Sequence, residues 1–143
     1  MDERLNMVAP CGLDCGICEL YTCKDNPDMI NYFISTGIPK ENLPCKGCKN
    51  IAGKCPVITS ECETYKCVES QKLANCSECN KFPCMKLAPA VDKANMLPHN
   101  MKVFNLATIK NVGLLEFVNI SSVIKQSYFK GIMIIGDGPK ITT

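Results

Sequence analysis

Cysteine is the residue type with chemistry to offer in this chain. Twelve of its 143 residues are cysteine, and all twelve fall within the first 84. They stand at Cys11, Cys15, Cys18, Cys23, Cys45, Cys48, Cys55, Cys62, Cys67, Cys76, Cys79 and Cys84. Thiols this closely spaced form either a disulfide framework or metal sites, and the redox compartment decides between them. The start, Met1-Asp2-Glu3-Arg4, leads into only a brief apolar patch before Pro10-Cys11, too short for the core of a secretory signal. No run approaches the roughly 20 apolar residues of a membrane span. A cytoplasmic location is therefore expected, where thiols stay reduced and metal is the better reading.

Taken in order, the cysteines fall into three tetrads. The first is Cys11-x3-Cys15-x2-Cys18-x4-Cys23; the second holds the pair Cys45/Cys48 with Cys55 and Cys62; the third holds the pair Cys76/Cys79 with Cys67 and Cys84. Two intervening residues let one turn aim both sulfurs at an ion about 2.3 Å away, and Gly47 is free to take the positive φ that such a turn needs. Spacing alone leaves the pairing open, since Cys45/Cys48 could equally join Cys76/Cys79 across the sequence. Separated Cys-x2-Cys pairs suit tetrahedral zinc, two to three ions in all. The alternative is an iron–sulfur cluster, best accommodated by the dense set Cys11, Cys15, Cys18 and Cys23. Over eight residues that set resembles the cluster loop of the radical S-adenosylmethionine enzymes, but their barrel needs roughly 200 residues and alternating strands and helices.

The succession Ala9-Pro10-Cys11-Gly12-Leu13-Asp14-Cys15-Gly16-Ile17-Cys18, then Cys45-Lys46-Gly47-Cys48, then Cys76-Ser77-Glu78-Cys79-Asn80-Lys81-Phe82-Pro83-Cys84 resembles a small cysteine-rich family of bacteria and archaea, domain of unknown function 3795. That family opens with CGLxC and closes its cysteine region with CxxCxxFPC. The resemblance runs over about residues 8 to 118, including Asn105-Leu106 and Gly113-Leu114. It implies zinc binding and carries no assigned reaction. Relatives often end in further cysteine pairs, whereas this chain finishes with a Gly131 to Pro139 segment that has none.

The elements that must position these thiols are short. Between Asn26 and Cys84 large aliphatic residues are few and Lys, Asn, Pro and Gly many, so packing alone would hardly fold that stretch. A structural zinc site can contribute on the order of 10–16 kcal/mol, as much as a whole domain's stability. Asn26-Pro27 is a helix start, and Met29, Ile30, Phe33 and Ile34 form a stripe, read as a core face, that ends at Gly37. Phe82-Pro83-Cys84 is expected to start a short helix through Leu87 that docks the third set on the core. Residues 88 to 100 read as a connector, with the single histidine, His99, as a surface or turn residue. Val103, Phe104, Leu106, Ala107 and Ile109 recur at helical spacing up to Asn111-Val112-Gly113, then Leu114, Leu115, Phe117 and Val118 begin a second helix of a hairpin. One such hairpin with Asn111 in place of the first hairpin glycine is a poor match to a nucleic-acid-binding helix-hairpin-helix. Gly131 to Gly136 reads as a short buried strand followed by the turn dipeptide Asp137-Gly138. The expected fold is a small, mainly α, metal-stabilised one: cysteine-rich knuckle loops with short helices, a C-terminal helical hairpin and a short terminal strand. It is read as one domain over 1–143, with the metal-binding part at 8–88 and the hairpin and strand at 100–143.

The formal charge of +2 counts every thiol as neutral. Twelve thiolates and three divalent ions would make it −4, so the nominal basicity does not point to nucleic acid. Arg4 is the single arginine among sixteen basic residues, and bidentate reading of guanine or phosphate favours arginine. Lys46, Lys49, Lys54 and Lys66 beside the knuckles are read as solvated. Zinc held by four cysteines is coordinatively closed and cannot activate water, and no nucleophile–base set accompanies it, so no enzymatic activity is expected. The expected role is a binding or accessory module with an unidentified protein partner rather than nucleic acid or membrane. The alternatives are an iron–sulfur electron carrier or cluster accessory protein, and a thiol redox or metal sensor.

Overall fold

Residues 7–15 turn back on themselves around Pro10-Cys11-Gly12. The Ala9 amide donates to Leu13 O at 2.8 Å, the Cys15 amide to Met7 O at 2.9 Å, and Val8 bridges Asp14 antiparallel. Gly12 sits at φ 89°, and a Cβ there would meet Leu106 Cγ at 2.7 Å, so only glycine fits this tip. The computed structural model describes residues 2–58, 60–88 and 95–141, and of His99 only the backbone. Its described residues are mainly helical, with one short two-stranded antiparallel sheet.

Before and after the tip come the short helices α1 (Glu3–Asn6) and α2 (Glu19–Thr22). Helix α3 (Pro27–Ser35) starts as its sequence dictates: the Asn26 side chain accepts the Met29 amide at 3.1 Å, and proline fills the first turn. Its stripe is not a core face. Met29, Ile30 and Phe33 are half-buried and Ile34 is exposed, because α3 follows directly from the 3-10 turn Cys23–Asp25 and lies on the edge of the molecule. After 3-10 turns at Lys40–Asn42 and Cys48–Ile51, α4 (Glu63–Gln71) is capped by Cys62, whose sulfur accepts the Tyr65 amide at 3.4 Å.

Pro83 does not open a helix. It follows a cis peptide bond, and a single 3-10 turn begins two residues later at Met85–Leu87. Leu87 nevertheless docks as expected, being 2% exposed. The connector expected over 88–100 lies partly outside the described residues; its described end contains the 3-10 turn Pro98–Met101. Next come α5 (Lys102–Val112) and α6 (Leu114–Lys130), joined at Gly113 with φ 91°, the hairpin expected from their spacing.

The core is where this hairpin meets the cysteine-rich part. Leu106, Ile109 and Phe117 pack with Val8 and Leu87, and Cys11, Cys76, Phe82, Leu114 and Val118 lie against them. The chain ends in β1 (Ile132–Ile134) and β2 (Gly138–Lys140), paired Ile132 with Lys140 and Ile134 with Gly138. The terminal strand is therefore half of a hairpin, and it is not buried. Ile132 and Met133 are each 52% exposed and Ile135 is fully so, because β1 pairs with β2 alone in a two-stranded sheet at the end of the described chain. Among the described residues no helix is long and apolar enough to cross a membrane.

Candidate metal centres

The third set is the most completely assembled. Cys67 stands on α4, Cys76 opens the 3-10 turn Cys76–Glu78, Cys79 ends it, and Cys84 precedes Met85–Leu87. All four line one cavity of about 30 Å³, walled by Val68, Leu73 and Phe82. A space of that size admits a group as small as a water molecule or a single ion. Gln71 spans two of the thiols: its Nε2 donates to Cys67 Sγ at 3.1 Å, and its Oε1 accepts from the Cys79 thiol at 3.9 Å. The Lys81 amide donates to Cys79 Sγ at 3.4 Å, across the tight turn that follows. Burial pushes the Cys76 thiol up to about 12, and Cys11, Cys84, Cys67 and Cys79 around it push the same way.

The first and second sets are folded together. Burial pushes Cys15 up to about 12, while the nearby Cys48 backbone pulls it the other way. Burial also raises Cys48, with Cys15, Cys11 and Cys62 adding to it. Gly47 takes the positive φ expected of it, at 95°, which leaves the Met7 sulfur where a Cβ would stand. Cys18 and Cys23 lie elsewhere. Leu20 O accepts the Cys45 amide at 2.8 Å and the Cys23 thiol at 3.3 Å, so these two cysteines meet at α2. Cys23 is fully buried and raised by that burial, and the cysteine that adds to its shift is Cys45. Burial pushes Cys55 up to about 11, with Cys45 and Cys18 the leading neighbours. None of the twelve cysteines is in a disulfide. The side chain of His99 lies outside the described residues.

The sequence reading missed the polar groups that hold these loops. Asp14, in the middle of CGLDC, has its side chain 2% exposed and carries two N–H bonds from Arg4, at 2.8 and 2.6 Å. The Gly16 amide at 2.9 Å and the Ser121 hydroxyl at 2.6 Å complete its ring of donors. From the same hairpin Asn105 Nδ2 donates to Gly12 O at 2.9 Å, Lys125 Nζ to Ile17 O at 2.7 Å, and Lys110 Nζ to Ser77 O at 3.4 Å. The hairpin thus grips both the first and the third cysteine loops. Local patterns carry no sign of such contacts, which join residues 33 to 108 positions apart.

Among the described residues no group of three or more His, Cys, Asp or Glu side chains stands ready-made to hold a metal ion. The backbones bring the thiols into neighbouring positions, and their side chains are not drawn in on a common centre. A model of the family described as protein of unknown function (DUF3795) matches residues 7–89, more than half of the chain. The chain belongs to this family. The DUF3795 match begins at the turn that carries Cys11 and covers all twelve cysteines, and it ends at residue 89, short of the hairpin to which the motif resemblance extends. In this chain, the DUF3795 region is followed by the helices that clamp it. No curated protein and no solved structure matches the chain.

Proposed function

We propose that this protein is a metal-binding module in which two to three zinc ions, each held by cysteines alone, stabilise the cysteine-rich half, and that its role is to bind a protein partner rather than to catalyse. The observation that carries the reading is one small cavity lined by all four of Cys67, Cys76, Cys79 and Cys84. A tetrahedral ion with sulfurs about 2.3 Å away matches four thiols around a space of that size. The donor set is all sulfur, which suits zinc or iron–sulfur and not the hard cations. Closing the site requires each thiol to lose its proton and turn inward, for which the ion supplies the driving force.

The thiol-sensor alternative has less behind it. Reactive cysteines sit where the thiolate is favoured, whereas burial holds Cys15, Cys55 and Cys76 well above the usual thiol range. The test is to purify the protein without oxygen and measure zinc, iron and labile sulfide per chain beside the visible spectrum. Two to three zinc in a colourless protein is the expected result. Iron with matching sulfide and absorption near ~400 nm would replace zinc by a cluster, and a chain that retains and takes up no metal would overturn the reading.

A further inference from the structure

We propose that Cys84 is the open side of the third metal site: the thiol at which a soft electrophile reaches the bound zinc, and whose modification lets the ion go. This rests on the zinc reading for Cys67, Cys76, Cys79 and Cys84 and adds how that site is regulated.

The four thiols that line the cavity are not equivalent. Cys67 stands on α4, where Gln71, one turn on, donates from Nε2 to its sulfur at 3.1 Å. Cys79 accepts the Lys81 amide at 3.4 Å, and its thiol faces Gln71 Oε1 at 3.9 Å. Cys76 packs against the hydrophobic core, and its amide is tied to Pro10 O at 2.9 Å. Cys84 differs from all three. It is the one exposed cysteine of the twelve, and it precedes the turn Met85–Leu87 without a side-chain hydrogen bond to it. Met85, the next residue, is 88% exposed.

The Cys84 backbone is nonetheless held at the rim of the cavity. Thr64, on the turn of α4 before Cys67, donates its hydroxyl to Lys86 O at 2.9 Å. The Leu87 amide closes on Cys84 O at 3.1 Å, and Leu87 itself is buried in the core. Cys84 therefore keeps its place beside the other three while staying open to solvent.

A zinc-bound cysteine is a thiolate and keeps lone pairs with which to attack. An N–H bonded to that sulfur favours its charged form and lowers its nucleophilicity. Cys67 and Cys79 have such a donor, Cys76 is recessed, and Cys84 has neither protection. With iodoacetamide as the electrophile, the Cys84 sulfur forms an S–C bond as iodide leaves. The product is a neutral thioether, so the Zn–S bond breaks and three thiolates are left to hold the ion.

The test treats the full, zinc-loaded chain with less than one equivalent of iodoacetamide, maps the modified cysteines by peptide mass spectrometry and follows released zinc with a coloured chelator. Within these four cysteines, Cys84 is expected to react about tenfold faster than Cys67 or Cys79, with about one zinc released per Cys84 modified. Gln71→Leu leaves all four sulfurs in place and removes the donor to Cys67, so the rate at Cys67 should rise about tenfold while that at Cys84 holds. Equal rates at the four thiols, or a first reaction at Cys67, Cys76 or Cys79, would overturn the proposal and leave the zinc reading standing. So would modification of Cys84 that releases no zinc, or a Gln71→Leu protein whose Cys67 reacts no faster than before. A chain that takes up no metal sinks both.

Discussion

Asp14 shows how much one side chain holds in place. Its carboxylate accepts from Arg4, the Gly16 amide and Ser121, so a segment before the first cysteine loop, the loop itself and α6 meet on two oxygens. Asp14→Asn keeps the shape and turns an amide N–H₂ toward the donors that now converge on the carboxylate. A loss of roughly 1.5–3 kcal/mol is expected, read as a lower denaturant midpoint of the metal-loaded protein with its slope unchanged. A midpoint within a few tenths of a molar of the parent would mean that the ring of donors contributes little. Ion pairs such as Lys66 with Glu61 and Glu63 are exposed on both sides, and their removal should go unnoticed beside it.

Among the elements, the α5–α6 hairpin does the work that the cysteine loops cannot do for themselves. Leu106 has no exposed surface and packs with Val8 and Leu87, which flank the first and third cysteine sets. Leu106→Ala should cost about 2–5 kcal/mol and leave Gly12 without the side chain it rests on. Its distinguishing sign would be faster amide exchange at residues 9–15, far along the chain from the substitution. A mutant whose exchange quickens only within α5 would refute that coupling. This hairpin was legible in the sequence because residues 103–118 repeat at helical spacing and Gly113 breaks it; likewise Asn26-Pro27 announced α3. The run of isoleucines at 132–135 misled, because apolar residues in a strand read as buried, whereas only a Gly-Pro-Lys strand pairs with them. For α3 the spacing was right and the burial was not, since a helix on the edge of the molecule has no second surface to meet. The Cys-x2-Cys spacings are legible in the sequence, whereas the contacts of Leu20 with Cys23 and Cys45 and of Met7 with Cys15 and Gly47 are not, both being ordinary apolar residues with nothing in their type to mark them.

At the scale of the whole molecule, burial sets how the metal-free protein responds to pH. Cys15 and Cys76 are pushed up to about 12 and Cys55 to about 11, from an ordinary 9.0. The unfolded chain gives up these protons first as pH rises through 9, while the folded chain still holds them. Stability is therefore fully present below pH 9 and falls progressively toward 11–12. Denaturation of the reduced, chelator-treated protein between pH 7 and 11 should show the midpoint falling, and the metal-loaded protein, whose sulfurs carry no proton, should keep its own. A metal-free midpoint that holds steady across that range would mean the thiols are not buried without the ion. The grip of the hairpin on the first loop also has a consequence in time. Gly12 waits for Asn105, 93 residues later, and Asp14 for Ser121, 107 residues later. At about 5–20 residues per second of synthesis, the nascent thiols stand unclamped for roughly 5–20 s before their supports leave the ribosome. During that interval the growing chain is open to oxidants and to whatever thiophilic ion arrives first, so under the zinc reading proposed above the order of translation, as well as the finished fold, would decide how the cysteines are loaded.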